Sequence, residues 1–245
     1  MISELKIKVV VTALLLFTLI GGLNAKVYLV AAGISDYPGT RNDLRLPAND
    51  AKTIAWLYSK NTAVEYTLLV NEQATLSAIT SAMNRQFAKA GANDIVVFFF
   101  SGHGYPGGFV AYDGQMGYAT VRKAMAKSTC KHKMIFADAC FSGKMSGKKR
   151  NSNNSLASAK KVDVMLFLSS RSNETSIERR NMKNGFFTAA LQKGLRGGAD
   201  ANRDRVITAK EIFTYVHEKV VQLSNNKQHP VMWGKFSDNM TVMKW

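Results

Sequence analysis

Two residues in this chain have the types and setting for nucleophilic chemistry. His103 lies in Ser101-Gly-His103-Gly104, and Cys140 lies in Asp138-Ala-Cys140-Phe-Ser-Gly143. A thiolate is a strong nucleophile. A nearby imidazole helps create or hold it and later protonates a leaving amine, so a Cys–His pair is the minimum for acyl transfer. Backbone N–H groups at the same turns would hold the developing oxyanion, with Gly104 and Cys140 itself as the natural donors. Glycines on both sides of His103 would let the backbone approach a substrate closely. Either motif alone is weak, because a lone His after a strand is usually structural and a lone buried Cys usually behaves as a small apolar residue.

The elements that must carry these residues give the pair its weight. Asp94-Ile-Val-Val-Phe-Phe-Phe100 is a continuous apolar run that predicts a strand buried on both faces, and the His103 motif follows it. Lys133-Met-Ile-Phe-Ala137 predicts a second such strand, and the Cys140 motif follows that. Further strands are expected at Val27–Ala32, Tyr66–Val70 and Val164–Leu168. Helical spacing of apolar residues is read through Ile54 and Leu57, over Thr75–Ala90, Tyr118–Lys127, Phe186–Leu195 and Ala209–Leu223. Asn49 or Asp50 would cap the first of these helices. Strands alternating with helices predict an α/β fold with a mainly parallel sheet covered on both faces. In such sheets, sites gather at the carboxyl ends of the strands, where both motifs fall.

Composition bounds the rest. The 245 residues suffice for one sizeable domain. Residues 1–25 read as an export signal: Lys6 and Lys8 precede an apolar run from Val9 to Leu23, and Ala25 would end it. That run is shorter than the roughly 20 residues of a spanning helix, and an uncleaved N-terminal membrane anchor is the alternative. Secretion or a periplasmic location follows, with residues 26–245 as the mature domain. The net charge of +16 falls by one if Glu4, Lys6 and Lys8 are removed. The basic residues are scattered, so nucleic acid is not expected as a partner. The two cysteines, Cys130 and Cys140, are read as free thiols.

The paired motifs resemble the catalytic signature of the caspase-like clan, and of metacaspases and bacterial caspase-domain proteins in particular. Val30-Ala-Ala-Gly-Ile-Ser-Asp-Tyr37, Leu46-Pro-Ala-Asn-Asp50-Ala, Gly185-Phe-Phe-Thr-Ala-Ala-Leu and Gln228-His-Pro-Val also resemble family segments, so the likeness spans roughly residues 26 to 245. It implies a caspase-like three-layer sandwich and a cysteine endopeptidase with no cofactor needed for its chemistry. It departs from the pattern in two places. His103 and Cys140 are 37 residues apart, against about 50 in caspases, and Phe141 stands where many metacaspases have His.

The resemblance also implies a specificity pocket, with Asp138 and Asp50 as its carboxylates and Ser101 as its hydroxyl. Two carboxylates would select Arg or Lys at P1 and reject Asp. The partners expected are therefore proteins or peptides with a basic P1 residue, and the chain is expected to be monomeric. Residues 143–161 form a basic, polar stretch that reads as an exposed loop in the place of the family's cleavable linker. Lys148, Lys149, Arg150, Lys160 and Lys161 would be self-cleavage points. A solvated charge run is the plainer reading of the same loop. Two other functions stay open: an inactive caspase-like scaffold, and a Cys–His hydrolase of non-peptide substrates.

One further pattern stands apart. Asp200, Asn202, Asp204, Val206, Thr208 and Glu211 fall at positions 1, 3, 5, 7, 9 and 12 of an EF-hand-like loop, which suggests a structural or activating calcium ion. Arg205 occupies the position that normally holds Gly, where a left-handed backbone is needed. The alternative is a plain connection with Thr208 as a helix N-cap.

Overall fold

A computed structural model describes residues 25–61, 63–140, 164–170 and 182–244. Residues 1–24 of the export-signal reading, the whole 143–161 loop and its self-cleavage points lie outside the described residues.

The central sheet has the strand order β2-β1-β3-β6-β7-β9. Its strands are β1 (Val27–Gly33), β2 (Val64–Val70), β3 (Ile95–Tyr105), β6 (His132–Cys140), β7 (Met165–Leu168) and β9 (Val231–Trp233). All neighbours are parallel except β7 and β9, which run antiparallel. A hairpin of β4 (Gly108–Ala111) and β5 (Gly114–Gly117) pairs with the far end of β3. A separate two-stranded sheet joins β8 (Val206–Thr208) to β10 (Thr241–Lys244).

Helices α2 (Leu76–Phe87) and α3 (Tyr118–Met125) pack Ile79, Met83, Phe87, Val121 and Met125 on one face of the sheet. Helices α1 (Pro47–Asn61), α4 (Phe186–Lys193) and α5 (Ala209–Leu223) cover the other, through Ile54, Phe187, Leu191, Ile212 and Val216. The fold is thus the expected three-layer α/β sandwich. β3 shows why its sequence is apolar throughout: Val96, Phe98 and Phe100 enter one core, while Ile95, Val97 and Phe99 enter the other. Each such fully buried side chain contributes about 1.5–3 kcal/mol.

Local chemistry starts the helices. Thr75 accepts the Ala78 N–H at 3.1 Å and caps α2. Pro47 opens α1, where its missing N–H costs nothing. The Ser35 hydroxyl accepts the next N–H, from Ala48, at 3.0 Å. Neither Asn49 nor Asp50 caps α1, because the helix starts earlier than its apolar spacing suggests. Asp50 lies inside the first turn, and its carboxylate is used elsewhere. Among the described residues, no helix is long and apolar enough to cross a membrane.

Candidate active site

The two motifs are not loops following their strands. The β3–β6 ladder continues past Phe100 and Ala137 through Ser101↔Asp138 and Gly102↔Ala139 to His103↔Cys140. The ladder therefore ends three residues beyond the apolar run on each side, and β3 itself continues to Tyr105. Ladder hydrogen bonds need no apolar side chains, so hydrophobicity alone misses this extension. The consequence is that His103 and Cys140 are register partners on neighbouring strands.

His103 is held from two sides. Its N–H donates to the Tyr37 hydroxyl at 3.0 Å, and its Nε2 meets the Asn42 carbonyl oxygen at 2.7 Å. A carbonyl only accepts, so Nε2 carries the proton and the neutral ring keeps Nδ1 unprotonated. Successive strand residues point their N–H groups to opposite sides. Since the His103 N–H is turned toward Tyr37, the Gly104 N–H is turned the other way, toward β6. That is the side an oxyanion donor near Cys140 must face. Gly102 does not open space for substrate, contrary to the expectation for both glycines. Tyr37 fills it, and a Cβ there would stand 2.7 Å from the Tyr37 hydroxyl.

The three residues expected to line a pocket come together two register positions before the pair. Ser101 donates to Asp50 Oδ2 at 2.8 Å, and Ser101 is the register partner of Asp138. Asp50 is 1 % exposed and Asp138 is 6 % exposed. Asp50 Oδ1 also accepts from Asn184 Nδ2 at 2.8 Å and from the Gly185 N–H at 3.1 Å. Asp138 Oδ2 accepts both the hydroxyl and the N–H of Thr188, at 2.8 and 3.1 Å. Gly185 is the N-cap residue of α4, and Thr188 lies in its first turn. Both carboxylates therefore sit against the electropositive start of that helix. Burial, and then the charge of Asp138, push the Asp50 carboxyl well above the ordinary carboxylate range, against the opposing pull of its three hydrogen bonds.

Asn184, Gly185 and Thr188 were not singled out as site residues in the sequence. A Gly followed three residues later by Thr at the start of an apolar helix was the signal available. Gly185 has a steric reason to be Gly: a Cβ there would overlap Asp138 Oδ2. Tyr37, seen only as the end of a family-like segment, and Asn42 were not singled out as site residues either.

Cys130 is buried, and its thiol is pushed up chiefly by burial. It precedes β6 by two residues, whereas Cys140 ends that strand. At about 3.3 Å per strand residue, the two lie well beyond the ~7 Å reach of a disulfide. This agrees with the reading of separate thiols.

The 200–211 loop adopts the shape its sequence seemed to resist. Arg205 has φ 65° and Arg203 φ 61°, both left-handed. Asp200 compensates by accepting the N–H groups of Asp204 and Arg205 at 3.2 and 3.0 Å. Thr208 and Glu211 form a reciprocal capping box for α5, as the alternative reading of the loop expects. Glu211 also accepts the Ala201 N–H at 3.2 Å. Among the described residues, no three His, Cys, Asp or Glu side chains are grouped to hold a metal ion.

A mainly parallel three-layer sandwich with a His and a Cys at adjacent strand ends defines a caspase-like peptidase domain. The family model for the caspase domain of this peptidase class matches residues 28–240. The chain belongs to that family. Its fold resembles a protein from Geobacter sulfurreducens, at 17% identity and a TM-score of 0.65, covering 89% of this chain and 97% of that one. It also resembles caspase-1 from Spodoptera frugiperda, at 15% identity and a TM-score of 0.64, covering 87% and 88%. The pro-form of the Spodoptera enzyme matches at 15% identity and a TM-score of 0.61, covering 87% and 89%. A search of the curated proteins finds no significant match.

Proposed function

We propose that this chain is an exported cysteine endopeptidase that uses His103 and Cys140 to cleave peptide bonds after Arg or Lys. The observation that carries the reading is the register pair His103↔Cys140, two positions along the ladder from Ser101↔Asp138, where Asp50 joins. In the first half-reaction the Cys140 thiol gives its proton to Nδ1 of the neutral His103 ring, its sulfur attacks the scissile carbonyl carbon, and the N–H groups of Gly104 and Cys140 receive the oxyanion. The imidazolium gives its Nδ1 proton to the departing amine as the C–N bond breaks, leaving a thioester. Water then adds to the thioester carbonyl, with Nδ1 taking its proton. Collapse of that adduct frees the acid and restores the thiol. The Asn42 carbonyl holds Nε2–H throughout, so Nδ1 alone takes up and gives back the transferred proton.

The preference for a cationic P1 side chain is supported by the electrostatics of Asp50. The donors given to it are all neutral: Ser101, Asn184 and the Gly185 N–H. Burial, and then the charge of Asp138, disfavour its ionised form, and a substrate guanidinium or ammonium placed beside the two carboxyls would favour that form again. Fluorogenic peptides differing only at P1 test this.

Self-processing in the 143–161 loop extends the same specificity to the chain itself. Cys140→Ala expressed beside the wild type, with denaturing gels, tests it: identical fragments from both would end the idea. Calcium in the 200–211 loop is a separate proposal. Binding would have to draw Glu211 away from Thr208 and Ala201, and a calorimetric titration without heat at millimolar calcium would remove it. A monomer in solution and a periplasmic or secreted location complete the reading.

A further inference from the structure

The loop before α1 fixes the ring of His103. Tyr37 is 5 % exposed, and its hydroxyl makes one bond in each direction. It accepts the His103 N–H at 3.0 Å and donates to the Val110 carbonyl at 3.1 Å, tying β3 to the β4–β5 hairpin. Its ring also lies against the imidazole, with centroids 4.9 Å apart and planes at 44°. The bare Cα of Gly102 is what allows the hydroxyl this close.

The same loop grips the far end of the imidazole. Asn42 ends a short helical turn, Thr40–Asn42, and its carbonyl meets Nε2 at 2.7 Å. Tyr37 and that turn are locked together, because the Tyr37 N–H donates to Asp43 Oδ1 at 3.1 Å. The base of the loop is pinned as well: Asn71 Oδ1 accepts the N–H groups of Ser35 and Asp36 at 3.0 and 3.3 Å. Backbone, ring face and ring nitrogen of one histidine are thus all held by one six-residue stretch.

We propose that Tyr37 is a positioning residue for His103, fixing its backbone and ring so that Nε2 stays on the Asn42 carbonyl and Nδ1 is left as the nitrogen that exchanges protons. This rests on the peptidase reading for its kinetic consequence, though not for the tautomer it enforces. Burial pushes the phenol pKa up, so the hydroxyl remains a donor to Val110. A misplacement of a general acid by a fraction of an ångström is felt in turnover rather than in substrate binding.

The test is Tyr37→Phe in the full chain, which keeps the ring contact and removes only the oxygen. With an Arg-P1 peptide substrate, kcat should fall about 10- to 100-fold while KM stays within about twofold. The His103 imidazole nitrogen-15 signals should change from a single Nε2–H tautomer to a mixture. If Tyr37→Phe does not fold, Gly102→Ala displaces the same hydroxyl from the other side and should give the same split between kcat and KM. Wild-type kcat in either folded variant, or an unchanged His103 spectrum in Tyr37→Phe, overturns the proposal. If the wild type itself shows no cleavage that depends on Cys140, the peptidase reading fails, and the spectra still decide the role of Tyr37.

Discussion

His103 and Cys140 are the last register pair of the β3–β6 ladder, so the two residues that the chemistry needs are aligned by main-chain hydrogen bonding. Substituting either one should remove activity without disturbing the sheet. Cys140→Ala and His103→Ala are each expected to lower kcat/KM by at least about a thousandfold, with no additive loss in the double variant. Steady-state kinetics on the three proteins check this. Additive losses would mean that the two do not act as a unit.

The thiols should also be distinguishable. Burial raises Cys130, and the proposed mechanism gives Cys140 the reactive thiolate. Iodoacetamide at neutral pH should label one cysteine per chain, at Cys140, and abolish cleavage. Peptide mapping reads the site. Cys130→Ser should leave both the labelling and the activity in place.

Asp50 links specificity to stability. Its folded pKa is raised, so the folded chain retains a proton that the unfolded chain has already released. The stability this contributes is full below the ordinary carboxylate range and is lost as pH rises through the folded value. Asp50→Asn should therefore gain stability relative to wild type on going from about pH 4 to about pH 8. Thermal unfolding at both pH values measures it. The same variant should lose about tenfold or more in kcat/KM for Arg-P1 substrates, or about 1.4 kcal/mol of transition-state stabilisation.

Gly185→Ala tests the helix end that holds the carboxylates. The new methyl would overlap Asp138 Oδ2 and force it from the first turn of α4. A loss of about 1–3 kcal/mol in stability is expected, together with a higher KM for basic substrates. Chemical denaturation and the substrate series read the two effects separately. An unchanged KM would separate Asp138 from substrate recognition.

How much of this was legible in the sequence depended on periodicity. β1 and β7 are continuous apolar runs, β3 and β6 contain such runs, and the helices repeat apolar residues at three and four residues. The hairpin β4–β5 was not foreseen, because each strand has four residues and contains glycine. β8 and β9 are three residues long and carry no pattern of their own. That His103 and Cys140 would lie near each other was legible because their motifs continue the two clearest apolar runs. Asp50 was the harder case. It looked equally like a cap for its own helix, and in the fold it binds the N-terminus of a helix 135 residues away. Tyr37 left no local signal at all, since the contact that matters joins it to a residue 66 positions along the chain.

The central claim is that this site cleaves peptide bonds after basic residues. The most direct measurement is a panel of fluorogenic peptides with Arg, Lys or Asp at P1, run on the wild type and on Cys140→Ala. The account predicts cleavage of the Arg and Lys peptides by the wild type alone. Cleavage of the Asp peptide in preference to them would contradict the pocket. Silence on all three would contradict the peptidase reading, and leave a caspase-like scaffold or a hydrolase of other substrates.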